Sequence, residues 1–282
     1  KNAEAISALF SAQAGKFVCA TAGHNLEAIL ASYGSGAVHM TYHEGGDFTV
    51  MNVDVGGGTS KIAIVQQGKV IDTCALEVGA RLVAMDENGK INRLEDTALK
   101  IAKMAGINLS LGATISEQDK EKLSQVLCDS LFEVLERGEL SPQVQDLLLT
   151  PTIEFKDRIH AIIFSGGVSE FIYGYEKRNL GDLGVQFGRR IRARANKLAG
   201  GNIPLRPAEV RIRATVIGAS QYTVQVSGNT IYLSHPELLP LRNLQVVTPE
   251  FQQTEGITSA EIKTSVDKAL KRFDIQDGDR AV

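Results

Sequence analysis

The chain has 282 residues, of which 43% are hydrophobic and 22% charged, a composition typical of one large globular domain or two smaller ones. The formal net charge of −3 gives no electrostatic reason to expect nucleic acid or an anionic membrane as a partner. No apolar run approaches the roughly 20 residues that a membrane span needs, so we expect no membrane segment. The chain begins with Lys1 rather than Met, and we expect it to be part of a longer protein.

The three cysteines lie far apart, are odd in number and show no metal-binding spacing. They are Cys19, Cys74 and Cys128. We expect reduced thiols of a cytosolic protein that mostly serve as packing residues.

Helices and strands alternate in the first part of the chain. The predicted elements are a helix over 3–14, a short strand over 16–23, a helix over 25–37 and a buried strand over 48–55. In the second helix, Ile29, Leu30 and Tyr33 face inward, and Gly34 lies near the C-terminal end. Between this helix and the strand, the stretch VHMTYHEGG predicts strand or loop, so His39 and His43 are not expected to form a metal pair.

The rest of the chain continues the alternation. Two strands around a Gln-Gln-Gly-Lys turn follow residue 60, and the later elements are helices over 95–106 and 116–138, a strand over 158–167, a helix over 183–201, a strand and a glycine-containing helix within 209–228, and a helix over 259–273. Prolines between 235 and 251 mark irregular chain or a linker. This order predicts an α/β domain with a mostly buried mixed sheet.

The first glycine-rich stretch, VDVGGGTSK at 53–61, joins two predicted strands and is therefore a hairpin tip. Its spacing excludes the Walker loop and the dinucleotide fingerprint, which both require a following helix. Successive N–H groups of bare glycines can form an anion-binding nest. Asp54 would oppose a phosphate unless a cation or water lay between them, as in Mg²⁺ sites that keep most of their waters. A plain hairpin with Asp54 in an Asx-turn stays the alternative.

The second glycine-rich stretch, AIIFSGGVSEF at 161–171, is an apolar strand that runs into Gly166 and Gly167. A helix is predicted to follow, so the N–H groups of its first turn would face the loop. A simple strand-to-helix turn is the alternative. Two such strand-end sites in one α/β chain favour a nucleotide-binding clamp over either alternative.

Four segments in this order resemble the ATPase superfamily of actin, the heat-shock chaperones and the sugar kinases: LEAILASYGSGA, VMNVDVGGGTSK, IIFSGGVSEF and RATVIGAS. With CALEVGARL and LPLRNLQV added, the chain is similar over most of residues 16–250 to the reactivating factors of ethanolamine ammonia-lyase. The resemblance implies an actin-like (ribonuclease H-like) lobe, a mixed sheet flanked by helices, with the first lobe largely missing. The implied domains are 1–46, the end of the first lobe and a connecting helix; 47–234, the nucleotide-binding second lobe; and 235–282, a linker and the start of a C-terminal segment.

The same resemblance implies a chaperone-like factor that uses ATP and Mg²⁺, with ADP as product, to release damaged cobalamin from ethanolamine ammonia-lyase, an adenosylcobalamin enzyme. It implies a cytoplasmic protein and leaves open an association with a bacterial microcompartment and a homodimer. A sugar-kinase-like phosphotransferase, an actin-like filament protein and an interaction module without nucleotide binding remain alternatives.

Residue roles also follow from the resemblance. Asp54 would be the catalytic and metal-binding carboxylate. The remaining site residues are those expected at the β- and γ-phosphates, Gly56, Gly57, Gly58, Thr59 and Ser60, and those expected around adenosine, Gly166, Gly167, Val168, Ser169 and Glu170. Gly218 and Ala219 would lie in a second connecting helix, where close packing needs small residues.

The superfamily has another phosphate loop, an Asp-x-Gly-Thr hairpin in its first lobe, and no such segment occurs in this sequence. We therefore expect ATPase activity of the intact protein and none of this chain alone. The one basic cluster, RRIRARANK at 189–197, places Arg190, Arg194 and Lys197 on one helix face. That face is either solvated or a contact with the lyase or a nucleotide.

Overall fold

The structure is a computed structural model that describes residues 23–221, 247, 249 and 258–275. Several predicted features lie outside these ranges. They are the helix over 3–14, the strand over 16–23 with the exception of Gly23, the residue Cys19, and nearly all of the proline-containing stretch. Glu27–Tyr222 form one compact unit, whereas residues 23–26 and 258–275 belong to a second. Each unit is described by itself, and the predicted domain boundaries stay predictions.

The larger unit is built on a five-stranded sheet in the order β3-β2-β1-β6-β7. Its strands are β1 Thr49–Val55, β2 Ser60–Gln66, β3 Lys69–Leu76, β6 Ala161–Ser165 and β7 Leu205–Arg206, and β4 Val83–Met85 pairs with β5 Ile91–Leu94 in a second, two-stranded sheet. Strands β1, β2 and β3 are antiparallel, whereas β6 runs parallel to β1 and β7 parallel to β6. Because β1 and β6 are parallel neighbours, the glycine loops that follow them leave the same edge of the sheet.

The helices are α1 His24–Gly34, α2 Ala37–Glu44, α3 Asp96–Met104, α4 Glu117–Leu135, α5 Pro142–Gln145, α6 Ser169–Tyr173, α7 Gly184–Ala195, α8 Ala214–Gln221 and α9 Ser259–Arg272. A 3₁₀ turn covers Leu198–Gly201. In the described ranges, none of the helices combines the length and the apolar character that crossing a bilayer demands.

Both faces of the large sheet are buried. On one face Val53 and Phe164 belong to the main core, together with residues of α3, α4 and α7. On the other face Val50 and Ile163 pack with Ile29 of α1. The two faces follow from the period of two along each strand. This mixed sheet flanked by helices confirms the predicted fold class.

Helices α1 and α8 cross where each carries a glycine. A Cβ at Gly218 would lie 1.7 Å from the carbonyl oxygen of Leu30, and one at Gly34 would lie 1.9 Å from that of Ala214. No side chain fits at either position without movement of the backbone. The glycine-containing helix was predicted, and this contact is the physical reason for its glycine.

Two predictions about local structure are wrong. Residues 37–44 form the helix α2, bracketed by Gly36 with φ of 85° and Gly45 with φ of 66°, rather than strand or loop. Residues 209–213 are not a strand, because the parallel edge position beside β6 is taken by β7, which ends at Arg206. The other elements predicted within the described ranges are present.

Candidate functional site

The first glycine loop is a hairpin between β1 and β2, as predicted. It is closed by the N–H of Gly56, which donates to the carbonyl of Thr59 at 2.9 Å. The following segment holds the loop from one side, because Ala80 N–H donates to the carbonyl of Gly56 and Arg81 N–H to that of Gly57, at 3.2 and 2.6 Å. The carbonyls of Gly56 and Gly57 therefore turn toward the protein.

The N–H groups of Gly57 and Gly58 have no acceptor among the described residues, and both glycines are exposed. Their φ angles lie outside the left-handed range, and a Cβ at Gly58 would meet nothing within 4 Å. Neither backbone conformation nor internal packing thus requires glycine at position 58. A bare residue there leaves room for an external group to approach the backbone closely.

The hydroxyls beside these glycines have different surroundings. Ser60 is fully buried, and its hydroxyl donates to the carbonyl of Val78 at 2.7 Å, so it braces the loop from inside. Thr59 is partly exposed at the end of the loop. Of the two hydroxyls predicted to contact phosphate, only that of Thr59 is placed where a ligand could meet it.

Two residues of the supporting segment were missed in the sequence, although both lie in the stretch CALEVGARL. A Cβ at Gly79 would lie 2.4 Å from the carbonyl oxygen of Gly57, so only glycine lets this segment approach the loop. The Arg81 side chain is 52% exposed beside Gly57, and its guanidinium lies 3.8 Å from the carboxylate of Asp182. Arg81 is therefore a cation beside the loop that is only loosely paired.

Asp54 lies next to the end of β1, between the two glycine loops. It is 7% exposed, and the hydroxyl of Ser165 on β6 donates to its Oδ2 at 2.8 Å. Burial raises the pKa of the Asp54 carboxyl above its ordinary value, and the Ser165 hydrogen bond and the charge of Lys61 oppose that rise. The sequence offered no partner for Ser165, because the pairing of β1 with β6 spans more than a hundred residues.

Asn52 extends this buried polar group. It is fully buried, and its Nδ2 donates to Ser165 Oγ at 3.4 Å, whereas its Oδ1 has no partner in the part of the chain that the structure describes. The chain Asn52–Ser165–Asp54 thus delivers hydrogen-bond donors toward the carboxylate. Its only sequence signal is the position of Asn52 two residues before Asp54, on the same strand face.

A lysine and a glutamate complete the charges around Asp54. Lys61 is the cross-strand partner of Asp54 in the β1–β2 register. Its Nζ lies 2.7 Å from Oε2 of Glu27 in α1, and the side chains of Lys61 and Glu27 are 14% and 34% exposed. Glu27 was missed because nothing in the sequence shows that the first turns of α1 lie over this sheet edge.

The second glycine loop is tied to the first through Val55. Val168 N–H donates to the carbonyl of Val55 at 3.1 Å. Gly166 has φ of 82°, and a Cβ there would lie 2.4 Å from the same carbonyl oxygen. Gly166 is therefore required by the protein itself. Gly167 is different, because a Cβ at that position would meet nothing within 4 Å.

The residues after these glycines point mostly into the protein. Val168 and Ser169 are buried, and the Ser169 hydroxyl donates to the carbonyl of Gly166 at 2.6 Å. Glu170 is partly exposed and accepts from Nε of Arg211 at 3.0 Å, and the Arg211 guanidinium lies 4.2 Å from the ring centre of Tyr175. The side chains of Val168 and Ser169 hold the loop, and the backbone at Gly167 and the group at Glu170 remain accessible.

The basic cluster pairs within the molecule. Arg190 Nη2 lies 2.7 Å from Glu121 of α4, and Arg194 Nη2 lies 3.0 Å from Glu136 of the α4 C-terminal end. Partial burial alone would raise the pKa of Glu121, but hydrogen bonds from Arg189 and Arg190 outweigh it and hold that pKa below its ordinary value. These arginines join α7 to α4. The sequence predicted instead either a solvated face or a contact with the lyase or a nucleotide.

His39 and His43 lie one turn apart on α2. Their Nε2 atoms are 2.7 Å apart, and Nδ1 of His39 lies 3.1 Å from Glu209. In the described ranges, no group of three or more His, Cys, Asp or Glu side chains could hold a metal ion. The histidine pair therefore forms an exposed hydrogen-bonded cluster.

The residues around Asp54 fit a magnesium ion that arrives with a nucleotide. Mg²⁺ usually binds through one or two carboxylates together with substrate phosphates and waters, rather than in an all-protein cage. One buried carboxylate, that of Asp54, lies two residues before the loop at 56–59, in which the N–H groups of Gly57 and Gly58 lack acceptors among the described residues. This donor set is too small for a metal held by protein alone and suits a metal shared with phosphate.

Two glycine loops at one edge of a mixed β3-β2-β1-β6-β7 sheet, with a carboxylate between them, place this chain among the actin-like α/β folds. The family model described as "Ethanolamine utilisation protein EutA" matches residues 1–282, and the chain belongs to this family.

Two curated relatives carry the name "Ethanolamine ammonia-lyase reactivase EutA". The relative from Salmonella typhimurium strain LT2 is 33% identical over 89% of this chain and 52% of its own length. The relative from Escherichia coli strain K12 is 31% identical over 88% of this chain and 52% of its own length. The chain thus spans about half the length of the curated relatives it matches.

Solved structures give more distant matches. The type II variant of the Ppx/GppA phosphatase from Aquifex aeolicus is 13% identical, with a TM-score of 0.40, over 78% of this chain and 70% of that one. MreB 5 of Spiroplasma citri bound to AMPPNP is 16% identical, with a TM-score of 0.35, over 70% of this chain and 57% of that one.

Proposed function

We propose that this chain is the nucleotide-binding lobe of a reactivase that acts on ethanolamine ammonia-lyase. The full-length protein would use ATP and Mg²⁺ to release damaged cobalamin from that adenosylcobalamin enzyme. Membership of the EutA family and the names of the two curated relatives support the target. The observation that carries the nucleotide site is the meeting of two glycine loops at the buried carboxylate of Asp54, with the N–H groups of Gly57 and Gly58 directed at no acceptor among the described residues.

The proposed roles follow the geometry of the loops. The backbone from Gly56 to Thr59 would bind the β- and γ-phosphates, with Arg81 beside it as a further cation. Gly166 and Gly167 would face the adenosine, Glu170 would lie at its edge, and Ser60, Val168 and Ser169 would hold the two loops from within. Asp54 would bind Mg²⁺ or its waters. The metal, when bound, would offset the negative charge that develops on the transferred phosphoryl group.

The surroundings of Asp54 suit this role. Burial disfavours its carboxylate, whereas Ser165 and Lys61 favour it. A carboxylate that is poorly hydrated binds a cation with less competition from water than an exposed one does. The Ser165 hydroxyl also fixes one oxygen, so that the other is free to bind the metal or a water on it.

Half of the clamp would come from the rest of the protein. The first phosphate loop of the superfamily is not found in this sequence, and each charge-assisted hydrogen bond that is lost weakens binding by roughly 1.5–3 kcal/mol. We therefore propose weak nucleotide binding by this chain and ATP hydrolysis only by the full-length protein. A cytoplasmic location, an association with a microcompartment and a homodimer belong to the same proposal.

The test of the nucleotide site is a thermal shift of this chain with Mg-ATP and with Mg-ADP. Ligand at 100 times its dissociation constant stabilises by about 2.7 kcal/mol, a shift of several degrees for a chain of this size. Gly58→Ala should lose the shift, because the added methyl group lies where the phosphate would approach. Gly138→Ala is the matched control, since a Cβ at Gly138 also meets nothing within 4 Å. An unchanged shift in Gly58→Ala, or none in the unaltered chain, would contradict the site.

The target is tested with the full-length protein and a lyase that has been inactivated with hydroxocobalamin. The protein should release the bound cobalamin in the presence of Mg-ATP, as measured by absorbance after gel filtration. The Asp54→Asn variant should bind the lyase without releasing cobalamin. Release that is independent of nucleotide would overturn the proposal.

A further inference from the structure

A positive charge of the protein already lies beside the carboxylate where the metal is proposed. Lys61 stands opposite Asp54 on the neighbouring antiparallel strand, and such pairs have Cβ atoms roughly 5 Å apart. Its ammonium group lies 2.7 Å from Glu27 and is mostly shielded from solvent, with 14% of the side chain exposed. The charge of Lys61 also lowers the pKa of Asp54, against the larger rise that burial causes.

The position of Lys61 distinguishes it from an ordinary surface ion pair. An exposed pair is weak because water screens it, whereas in this pair between β2 and α1 the lysine side chain is only 14% exposed and that of the glutamate 34%. It also lies at the sheet edge where both glycine loops begin. Three ionisable groups, the carboxyls of Asp54 and Glu27 and the ammonium of Lys61, therefore meet at this end of the sheet.

A free divalent ion and a metal–nucleotide complex meet this arrangement differently. A free ion that binds Asp54 brings two positive charges close to the Lys61 ammonium, and in a site of low dielectric this repulsion is strong. A metal that carries triphosphate is net negative and does not suffer the same repulsion. Lys61 can even turn toward the phosphates, because its four-carbon stem is flexible.

We propose that Lys61 is a resident counter-ion that makes the site selective for the metal–nucleotide complex over the free divalent ion. This inference rests on the proposed function and deepens it. Glu27 is the positioning residue, since it holds the ammonium beside Asp54. The protein would then take up Mg²⁺ with ATP and would not store the free ion.

The experiment measures Mn²⁺ binding without nucleotide, from the loss of the free-ion signal in electron paramagnetic resonance. The unaltered chain should show no saturable Mn²⁺ at millimolar concentration, and Lys61→Met should bind one ion at least about tenfold more tightly. Lys61→Arg should behave as the unaltered chain, because it keeps the charge. The double variant Asp54→Asn with Lys61→Met should lose the ion again. Lys103→Met, which removes an exposed charge on α3, is the control for net charge.

Equal Mn²⁺ affinity in Lys61→Met and the unaltered chain would overturn the inference, and so would tight binding by Lys61→Arg. If Lys61→Met does not fold, Lys61→Gln also removes the positive charge and places a polar group at the end of the side chain. Thermal shifts with Mg-ATP on the same samples separate the two proposals. A chain that shows the Mg-ATP shift while Lys61→Met leaves Mn²⁺ binding unchanged overturns the counter-ion role alone, whereas a missing Mg-ATP shift counts against the nucleotide site.

Discussion

The two glycine loops look alike in the sequence and differ in the structure. Each follows an apolar strand, and the strands are parallel neighbours. In the loop at 56–59, Gly57 and Gly58 are exposed and their N–H groups find no acceptor among the described residues. In the loop at 166–169, Gly166 has a left-handed backbone pressed against the carbonyl of Val55, and only Gly167 is open. Neither backbone conformation nor packing thus requires glycine at position 58, whereas the fold itself requires it at position 166.

The sharpest way to break this comparison is to add one methyl group to each glycine of the second loop. Gly166→Ala should destabilise the chain by about 3 kcal/mol or more, because left-handed strain adds to a contact with Val55 that neither backbone can relieve. Gly167→Ala should change stability by less than about 0.5 kcal/mol. Thermal denaturation of both variants measures the difference. Equal losses of stability in the two variants would mean that Gly166 and Gly167 do not differ in how closely the fold surrounds them.

A smaller effect is expected at Asp54, the residue between the loops. Asp54→Asn should stabilise the nucleotide-free chain by about 1 kcal/mol at pH 7.5, because it removes a charge that burial disfavours. The folded pKa of Asp54 lies above its ordinary value of 3.8. Below pH 3.8 the carboxyl is protonated in both the folded and the unfolded chain, and its contribution to folding stability is fully present. That contribution is lost as the pH rises from 3.8 through the raised pKa of the folded chain.

The pH dependence supplies the control for that prediction. The two proteins share all their other acidic groups, so the difference in melting temperature between Asp54→Asn and the unaltered chain is the quantity to follow. It should shrink as pH falls toward 3.8. A difference in melting temperature that stays constant with pH would show that burial does not disfavour the charged form of the carboxyl.

The smallest effect concerns accessibility and sharpens the comparison between the open glycines. Cysteine placed at Gly58 should react with a maleimide about two- to fivefold faster than cysteine at Gly167, because Gly58 is exposed and Gly167 only partly so. Burial raises the pKa of the Cys74 and Cys128 thiols to about 12, so both should remain unlabelled at pH 7.5. Peptide mapping by mass spectrometry assigns each label. Labelling of Cys74 and Cys128 before the introduced cysteines would contradict the burial of the core.

Much of the fold follows from local patterns. The apolar runs predict β1 and β6, the glycine stretch between strands predicts the hairpin, and the helical periodicity predicts α1 and α4. Helix α2 was missed because its histidines and threonine give no apolar stripe, and its ends are fixed by glycines rather than by capping side chains.

The candidate site was predictable only where its residues are contiguous. Asp54 and the two glycine loops are sequence motifs, but Asn52, Ser165, Glu27 and Lys61 meet through strand register and helix placement. Ser165 reaches Asp54 because β6 pairs with β1 in one particular register. The burial of Ser60 was likewise hidden, since a hydroxyl beside a glycine loop carries no sign of which side of the hairpin it faces.

The crossing of α1 and α8 has a consequence for Glu27. Backbone touches backbone there, without rotamers to rearrange, so the two helix axes are held at a separation that covalent geometry dictates. Leu30 and Gly34, one and two turns along α1 from Glu27, are the points of contact. The crossing therefore fixes the position of α1, and with it the distance of Glu27 from the sheet. Because Gly34 and Gly218 carry only a hydrogen in place of a side chain, they determine where the charge of Glu27 is held.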